Sequence, residues 1–257
     1  MRITVCELHN DPERLITDWD KLTRHVATHG SELVILPEMP FYPWIARVLP
    51  FTQSLWIASV RAHDDWLKRL AELSPAAVVG TRPVTQYGRR FNEGFIWSLE
   101  NGYQAVHTKC YLPNEGGFWE DAWYERGKTD FTAVEINAVK IGFLICTELW
   151  FNTHARSYAK EGVDLIVCPR ATPATSSDKW IAGGRTAAVV SGAFCLSSNR
   201  GGTDRHGMQW AGRGWVIEPE EGDVLAVTSP SQPIITLDID LKIAARAKQT
   251  YPRYVQE

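Results

Sequence analysis

The sequence predicts an α/β fold built around parallel strands in one domain, and three observations carry that expectation. Between Arg2 and Leu36 an alternating strand, an amphipathic helix and a second apolar strand follow one another. Further on, Ile141–Cys146 is an apolar run of strand length, Phe151–Glu161 has helical spacing, and Asp164–Cys168 is a short strand closed by Pro169. Each strand–helix–strand unit favours a parallel pair joined by a right-handed crossover. Third, no internal repeat, low-complexity tract or linker divides the 257 residues, a length that one globular unit accommodates, so residues 1–257 are expected to form a single domain.

The elements follow in order. After the alternating Met1–Leu8, Asp11 offers a helix cap and Pro12 a first-turn proline. Leu15, Trp19, Leu22 and Val26 then recur at steps of four, three and four until Gly30 stops the helix. Glu32–Leu36 is the next strand, running into Pro37-Glu38. Ser54 to Leu73 is predicted as one long helix with Leu55, Ala58, Ala62, Trp66, Leu70 and Leu73 on one side. Ala76–Gly80, Gly94–Leu99 and Tyr103–His107 read as strands, the last two turned back by Asn101-Gly102. The hairpin ends at Lys109 and a loop rich in turn formers and aromatics runs from Leu112 to Glu120. Ile181–Ser191 has helical spacing, Gly192–Ser198 is a strand reaching Asn199-Arg200, and Gly214–Glu218, Val224–Val227 and Ile234–Asp240 complete the sheet content. In this reading Glu38 and Cys146 stand at carboxyl ends of strands on one rim of a sheet, where α/β folds place their chemistry.

Composition narrows the function classes. With 44% hydrophobic and 22% charged residues and a formal net charge of -3, the chain has no basic stripe, so neither nucleic acid nor an anionic membrane is an expected partner. No apolar run approaches the ~18 residues of a membrane span, and the amino terminus lacks the pattern of a signal peptide. The five cysteines, at 6, 110, 146, 168 and 195, are odd in number and widely spaced, which argues against a disulfide framework and for a reducing, cytoplasmic setting. No Cys-x-x-Cys or His-Glu-x-x-His run offers metal-ligand geometry, and no histidine stands in a nucleophile motif. The 11 tryptophans suggest aromatic-lined pockets or a large interface besides core packing.

Taken singly, a cysteine at a buried strand end is most often an inert core residue, a glutamate between prolines a solvated loop residue, and a lysine at a strand end a surface charge. Together they describe a site. A thiol needs a base or cation to become thiolate and donors to hold the oxyanion formed on attack. Glu38 supplies a base, Lys109 a cation, and the turn after Cys146 presents backbone N–H groups, that of Thr147 being the natural second oxyanion donor.

Leu-Pro-Glu38, then Lys109 followed by Leu112-Pro113 and Phe118-Trp119-Glu120, then Gly142-Phe143-Leu144-Ile145-Cys146 resemble, in order, the three signature regions of the nitrilase superfamily of carbon–nitrogen hydrolases. Asn199-Arg200, Gly214–Pro219 and Leu237–Asp240 extend the resemblance over essentially the whole chain. It implies a four-layer αββα sandwich, a Glu38–Lys109–Cys146 triad, no metal or cofactor, and a homodimer or higher oligomer formed through helices near the nucleophile. It also implies a second glutamate after the lysine: Glu120 has the spacing of carbamoyl-amide hydrolases, while Glu115 has the shorter spacing of some aliphatic amidases. The implied activity is hydrolysis of a small amide to acid and ammonia through a cysteine thioester. N-carbamoyl and nitrile substrates are the alternatives, and a catalytically silent binding module on the same fold is the alternative of another class. Two positions depart from the usual pattern. Thr147-Glu148 stands where many amidases carry an aromatic or other residue followed by aspartate, and nitrile hydrolysers often have Glu at the second place. Arg170 replaces a small residue and would either recognise a substrate carboxylate or pair with a nearby acid. His107, two residues before Lys109, would line the site or serve as a satisfied structural histidine.

Overall fold

The computed structural model describes residues 1–9 and 11–255, so residues 10, 256 and 257 of the expected domain lie outside the described residues. The chain opens with β1 (Arg2–His9), α1 (Pro12–His29) and β2 (Leu33–Ile35). Helix α1 starts and stops where the residues dictate. The Asp11 carboxylate accepts from the Glu13 and Arg14 N–H groups, and Gly30 ends the helix in the left-handed region at φ 59°. Next come α2 (Gln53–Leu67), a 3₁₀ stretch at Leu70–Leu73, and an antiparallel meander of β3 (Ala77–Gln86), β4 (Arg89–Ser98) and β5 (Gly102–Thr108). A small hairpin, β6 (Asn114–Glu115) with β7 (Phe118–Trp119), leads into the one-turn helix α3 (Glu120–Trp123). The thiol-bearing half comprises β8 (Val134–Ile136), β9 (Val139–Phe143), α4 (Asn152–Glu161), β10 (Leu165–Val167), α5 (Ser177–Ser191) and β11 (Phe194–Ser197). The chain finishes with β12 (Asn199–Gly201), β13 (Trp215–Ile217), β14 (Val224–Val227), β15 (Ile234–Asp238) and α6 (Leu241–Ala247).

These strands form two large sheets. One has the order β12-β1-β2-β3-β4-β5 with β15 also on β1; the other runs β14-β13-β11-β10-β9-β8. The predicted crossover units are both present and parallel, β1–β2–β3 in the first sheet and β9–β10–β11 in the second. The expectation that Glu38 and Cys146 share one rim is therefore corrected: each belongs to its own sheet, and the two rims face each other.

Side-chain alternation explains the arrangement. In β1, Ile3 and Val5 enter a core shared with Leu33 and Ile35, and with Ile141, Phe143, Leu165, Val167, Phe194 and Leu196 of the other sheet. The residues between them point the opposite way. Cys6, Leu8, Val34 and Val78 meet Leu15, Trp19, Leu22 and Val26 of α1, while Ile166, Cys195 and Ile217 pack with Ala155, Tyr158, Ala187 and Ala188 of α4 and α5. Runs that read as continuously apolar are thus two interleaved period-two patterns, each face buried in a different core. The layers stack helix, sheet, sheet, helix, which is the αββα sandwich that the resemblance implied.

The long helix predicted from Ser54 breaks at Lys68, and its inner face is turned by one residue. Trp56, Ser59 and His63 are buried, whereas Leu55, Ala58, Ala62 and Trp66 flank them half-buried. Polar partners draw that face inward: Trp56 Nε1 donates to Thr85 Oγ1 (2.8 Å), His63 Nδ1 to Ser59 O (2.7 Å), and Phe41 N–H to His63 Nε2 (3.4 Å). Burial pushes the His63 imidazolium down to about 3, so the ring is neutral and fits this pattern of one donor and one acceptor. Strands β3 and β4 pair from Val78–Trp97 to Gln86–Arg89, well past their predicted ends. The predicted strand 192–198 and the segment after it divide at Ser198. There the chain passes from one sheet into the other, Asn199 pairing with Glu7 of β1, while Ser198 Oγ donates to Ile35 O and accepts from Cys6 N–H. Among the described residues, no helix is long and apolar enough to cross a membrane.

Candidate active site

Cys146 follows the end of β9 as the first residue of a 3₁₀ turn, Cys146–Trp150. Its φ of 48° lies in the left-handed region, an uncommon conformation for a residue with a Cβ and one concentrated at functional sites. The elbow is pinned by Cys146 N–H to Pro169 O at 3.0 Å. No acceptor among the described residues takes the adjacent Thr147 N–H, and Thr147 lines the same cavity as Cys146.

The first sheet delivers the charged groups. Lys109 follows β5, and its Nζ donates to Glu38 Oε1 at 2.8 Å and to the Glu120 oxygens at 2.9 and 2.7 Å. All three side chains are buried. Glu38, beyond β2, is held from behind. Its N–H donates to Arg170 O at 3.1 Å, and its Oε1 also accepts from Asn92 Nδ2 at 2.8 Å. Its other oxygen, Oε2, is buried without a hydrogen-bond partner among the described residues. A free oxygen on a buried carboxylate is an acceptor waiting for a proton or a donor. Of the two candidate second glutamates, Glu120 is the one that touches Lys109; Glu115 is exposed.

The electrostatics follow from burial and charge count. Burial opposes the Lys109 ammonium, but Glu120 and Glu38 beside it outweigh that cost and hold its pKa well above the ordinary value. Two carboxylates around one cation leave an excess negative charge in a dry site. Burial accordingly raises Glu120 to about 8, Lys109 pulling it down and Glu38 pushing it further up. Burial and then Glu38 also push the Cys146 thiol up, with Lys109 and the Ala171 backbone pulling only part of the way back. The resting nucleophile is the thiol, and the chemistry needs a base.

The departures from the pattern have structural explanations. Glu148 is fully buried and its carboxylate accepts from Cys110 N–H (2.7 Å), Ile145 N–H (2.8 Å) and His107 Nε2 (2.9 Å). One side chain thereby ties the residue after Lys109 to the residue before Cys146, and His107 is the satisfied structural histidine of the two alternatives. Glu148 does not line the cavity with Thr147, so the turn directs the second of these residues into the scaffold. Replacing Glu148 by Gln puts an NH₂ against backbone donors; it is expected to cost about 2 kcal/mol of stability and to lower kcat about tenfold by loosening both neighbours. Thermal melts and initial rates check this, and wild-type values for both would show Glu148 to be idle.

Arg170 is corrected on both expectations. It is fully buried and has no acidic partner among the described residues. Its guanidinium donates to Ser197 Oγ (2.7 Å), Thr172 Oγ1 (3.0 Å) and Arg213 O (2.8 Å) and lies 3.8 Å over the Trp215 ring, spent on the scaffold rather than offered to a ligand. Burial lowers its pKa to about 10.

Cys146, Thr147 and Glu120 open onto a cavity of ≈ 440 Å³ walled by Phe118, Trp150, Pro173 and Trp180 and bordered by Glu115, Lys179 and Ser176. That volume suits a small ligand. A larger cleft of ≈ 540 Å³ beside His107 and Arg126 contains no thiol. Several contributors had no signal in the sequence. Asn92 sits inside a strand between Phe91 and Glu93. Arg200 was noted only as a landmark, yet its guanidinium donates to Glu38 O (3.1 Å), Met39 O and Tyr42 O (3.1 Å), bracing the loop that carries the carboxylate.

The sequence model described as carbon–nitrogen hydrolase matches residues 2–249. The omega-amidase NIT2 of Homo sapiens is 26% identical over 241 residues, 91% of this chain and 86% of that protein. Among solved structures, a carbon–nitrogen hydrolase from Helicobacter pylori G27 superposes with a TM-score of 0.87 at 18% identity, covering 98% of this chain and 94% of that one. A mutant of the amidase from Nesterenkonia sp. AN1, showing the Michael addition of acrylamide at its active-site cysteine, superposes with a TM-score of 0.79 at 17% identity, covering 95% of each chain.

Proposed function

We propose, from the premise that this chain belongs to the carbon–nitrogen hydrolase family, that it cleaves a small amide to carboxylic acid and ammonia through a thioester on Cys146. The observation that carries the reading is the Lys109 ammonium clasped by Glu38 and Glu120, buried in the site that holds the Cys146 thiol on a left-handed elbow. Glu38 Oε2, which has no hydrogen-bond partner among the described residues, takes the thiol proton as sulfur attacks the amide carbon. The tetrahedral oxyanion is held by Lys109 Nζ and the free Thr147 N–H. As the C–N bond breaks, Glu38 returns the proton to nitrogen and ammonia leaves. Water then enters, Glu38 takes its proton as the oxygen attacks the thioester carbon, and Glu38 passes that proton to sulfur as the C–S bond breaks, which releases the acid and restores the thiol. Glu120 keeps the ammonium in place throughout.

The similarity to an omega-amidase supports an amide over an N-carbamoyl or nitrile substrate. A homo-oligomer belongs to the same proposal, supported by the part-exposed Trp150 and Phe151 beside the nucleophile turn; so does a reducing, cytoplasmic setting, supported by five buried free thiols. The test is a panel of small amides, ureido compounds and nitriles. Amides should release ammonia without carbon dioxide, hydroxylamine should divert the acyl group to a hydroxamate, and quenched enzyme should carry the acyl mass on the Cys146 peptide. Ammonia release with neither hydroxamate nor adduct would rule out the thioester.

A further inference from the structure

The cavity over Cys146 is lined by both buried and exposed residues, and two of the exposed ones carry opposite charges. Cys146 and Glu120 are buried, Phe118, Trp150, Pro173 and Trp180 form aromatic and apolar walls, and Glu115 and Lys179 are exposed where they border the same space. Glu115 lies in the small β6–β7 hairpin, paired through the backbone with Phe118. Lys179 lies in the first turn of α5, its ammonium 5.6 Å from the centre of the Trp150 ring. Neither Glu115 nor Lys179 forms an ion pair among the described residues. Of the charged side chains that line this cavity, Glu120 is taken by Lys109, which leaves Glu115 and Lys179 for a visitor.

We propose that Glu115 and Lys179 are specificity-determining residues that read the far end of the substrate, and that the preferred substrate is a small amide whose tail carries both an ammonium and a carboxylate. This rests on the amide-hydrolase reading above and names its substrate class. The amide enters first, toward Cys146; a short methylene spacer lies between Phe118 and the two tryptophans; the tail carboxylate meets Lys179 and the tail ammonium meets Glu115. The apolar walls suit the spacer, since they reward burial of CH₂ groups, and Glu115 and Lys179 are the charged side chains lining the space that are not already paired. A neutral tail would leave both charges unmatched, and a singly charged tail would leave one. Pairs near the surface are modest in strength and screened by salt, so each is expected to change kcat/KM about threefold to fivefold at low ionic strength and less in molar salt.

Four amides on one carbon frame test this: L-glutamine, 4-carbamoylbutanoate, which lacks the amine, 4-aminobutanamide, which lacks the carboxylate, and butanamide, which lacks both. Wild-type kcat/KM should rank glutamine first and butanamide last, and the spread should narrow as salt is added. In Lys179→Met the ratio of 4-carbamoylbutanoate to butanamide should fall by that factor, and in Glu115→Gln the ratio of 4-aminobutanamide to butanamide should fall likewise. Lys179→Glu should lower kcat/KM for 4-carbamoylbutanoate relative to 4-aminobutanamide. Ratios that do not move in the variants, or butanamide as the best substrate, would overturn the inference. Cys146-dependent hydrolysis of butanamide would then leave the amide-hydrolase reading standing. If the wild type hydrolyses none of the four and no other amide of the wider panel, that reading fails and this inference with it.

Discussion

Replacing Cys146 by alanine is expected to lower kcat by about 10⁴-fold or more, with the fold retained. Among the described residues, Cys146 is the one thiol that lines the cavity. Lys109 is clasped by two carboxylates, and Cys110, Cys168 and Cys195 are buried and do not line the cavity. The stability cost should be small because the resting thiol is uncharged, so its removal leaves the balance among Glu38, Lys109 and Glu120 unchanged. Alanine also meets no more strain at φ 48° than cysteine does. Steady-state rates together with a thermal melt decide the point. A well-folded variant with wild-type kcat would remove Cys146 from the mechanism.

The second large effect belongs to Glu120. Burial and the nearby Glu38 raise this carboxyl to about 8 against the pull of Lys109. Above that pH a second full negative charge appears beside Lys109 and near Cys146, where it pushes the thiol further from ionisation. The value of kcat/KM is therefore expected to fall on the alkaline side with a midpoint near pH 8. Glu120→Gln should abolish that limb, because an amide cannot titrate, and should lower kcat about tenfold by loosening the placement of the Lys109 ammonium. A limb that survives the substitution belongs to another group. The same proton acts on stability. The unfolded carboxyl releases it near 4.5 and the folded one near 8, so between those values the native state binds more protons. Its contribution is fully present below pH 4.5 and is lost as pH rises through about 8. Urea unfolding at pH 6 and pH 9 should show the loss in the parent chain and a smaller one in Glu120→Gln.

Local physics left clear marks in the sequence wherever one residue sufficed. Asp11 and Gly30 bracket α1 because a cap and a left-handed stop are properties of single residues. The strands around Ile35, Ile141 and Val167 were legible because buried strands of this kind require unbroken apolar runs. Glu38 and Cys146 stood out because each follows such a run with a residue whose burial is costly or whose chemistry is reactive, and Lys109 because it ends a hairpin strand and opens a signature word. The face of α2 was misread by one residue, since Trp56 and His63 are held inward by hydrogen bonds to Thr85 and to the Phe41 N–H, groups that no periodicity encodes. Glu148 was read as a mark of substrate class and is a tie between two backbone segments.

By itself, the sequence determined the helix and strand segments and, through its ordered signature words, the family resemblance that implied the αββα layers and the grouping of thiol, carboxylate and lysine, because apolar runs, helix caps and short words are each carried by residues close together in the chain. Only the tertiary structure decided that the carboxylate and lysine come from one sheet and the thiol from the other, and that Glu120 rather than Glu115 completes the clasp on Lys109. It likewise decided that Arg170 is buried scaffold and that Glu115 and Lys179 border one cavity with no ion-pair partner among the described residues. The physical reason is common to all four. Burial, hydrogen-bond satisfaction and charge balance are properties of neighbours in space, and the neighbours that matter here lie tens to hundreds of residues apart, as Asn92 does from Glu38 and Arg200 from the same loop.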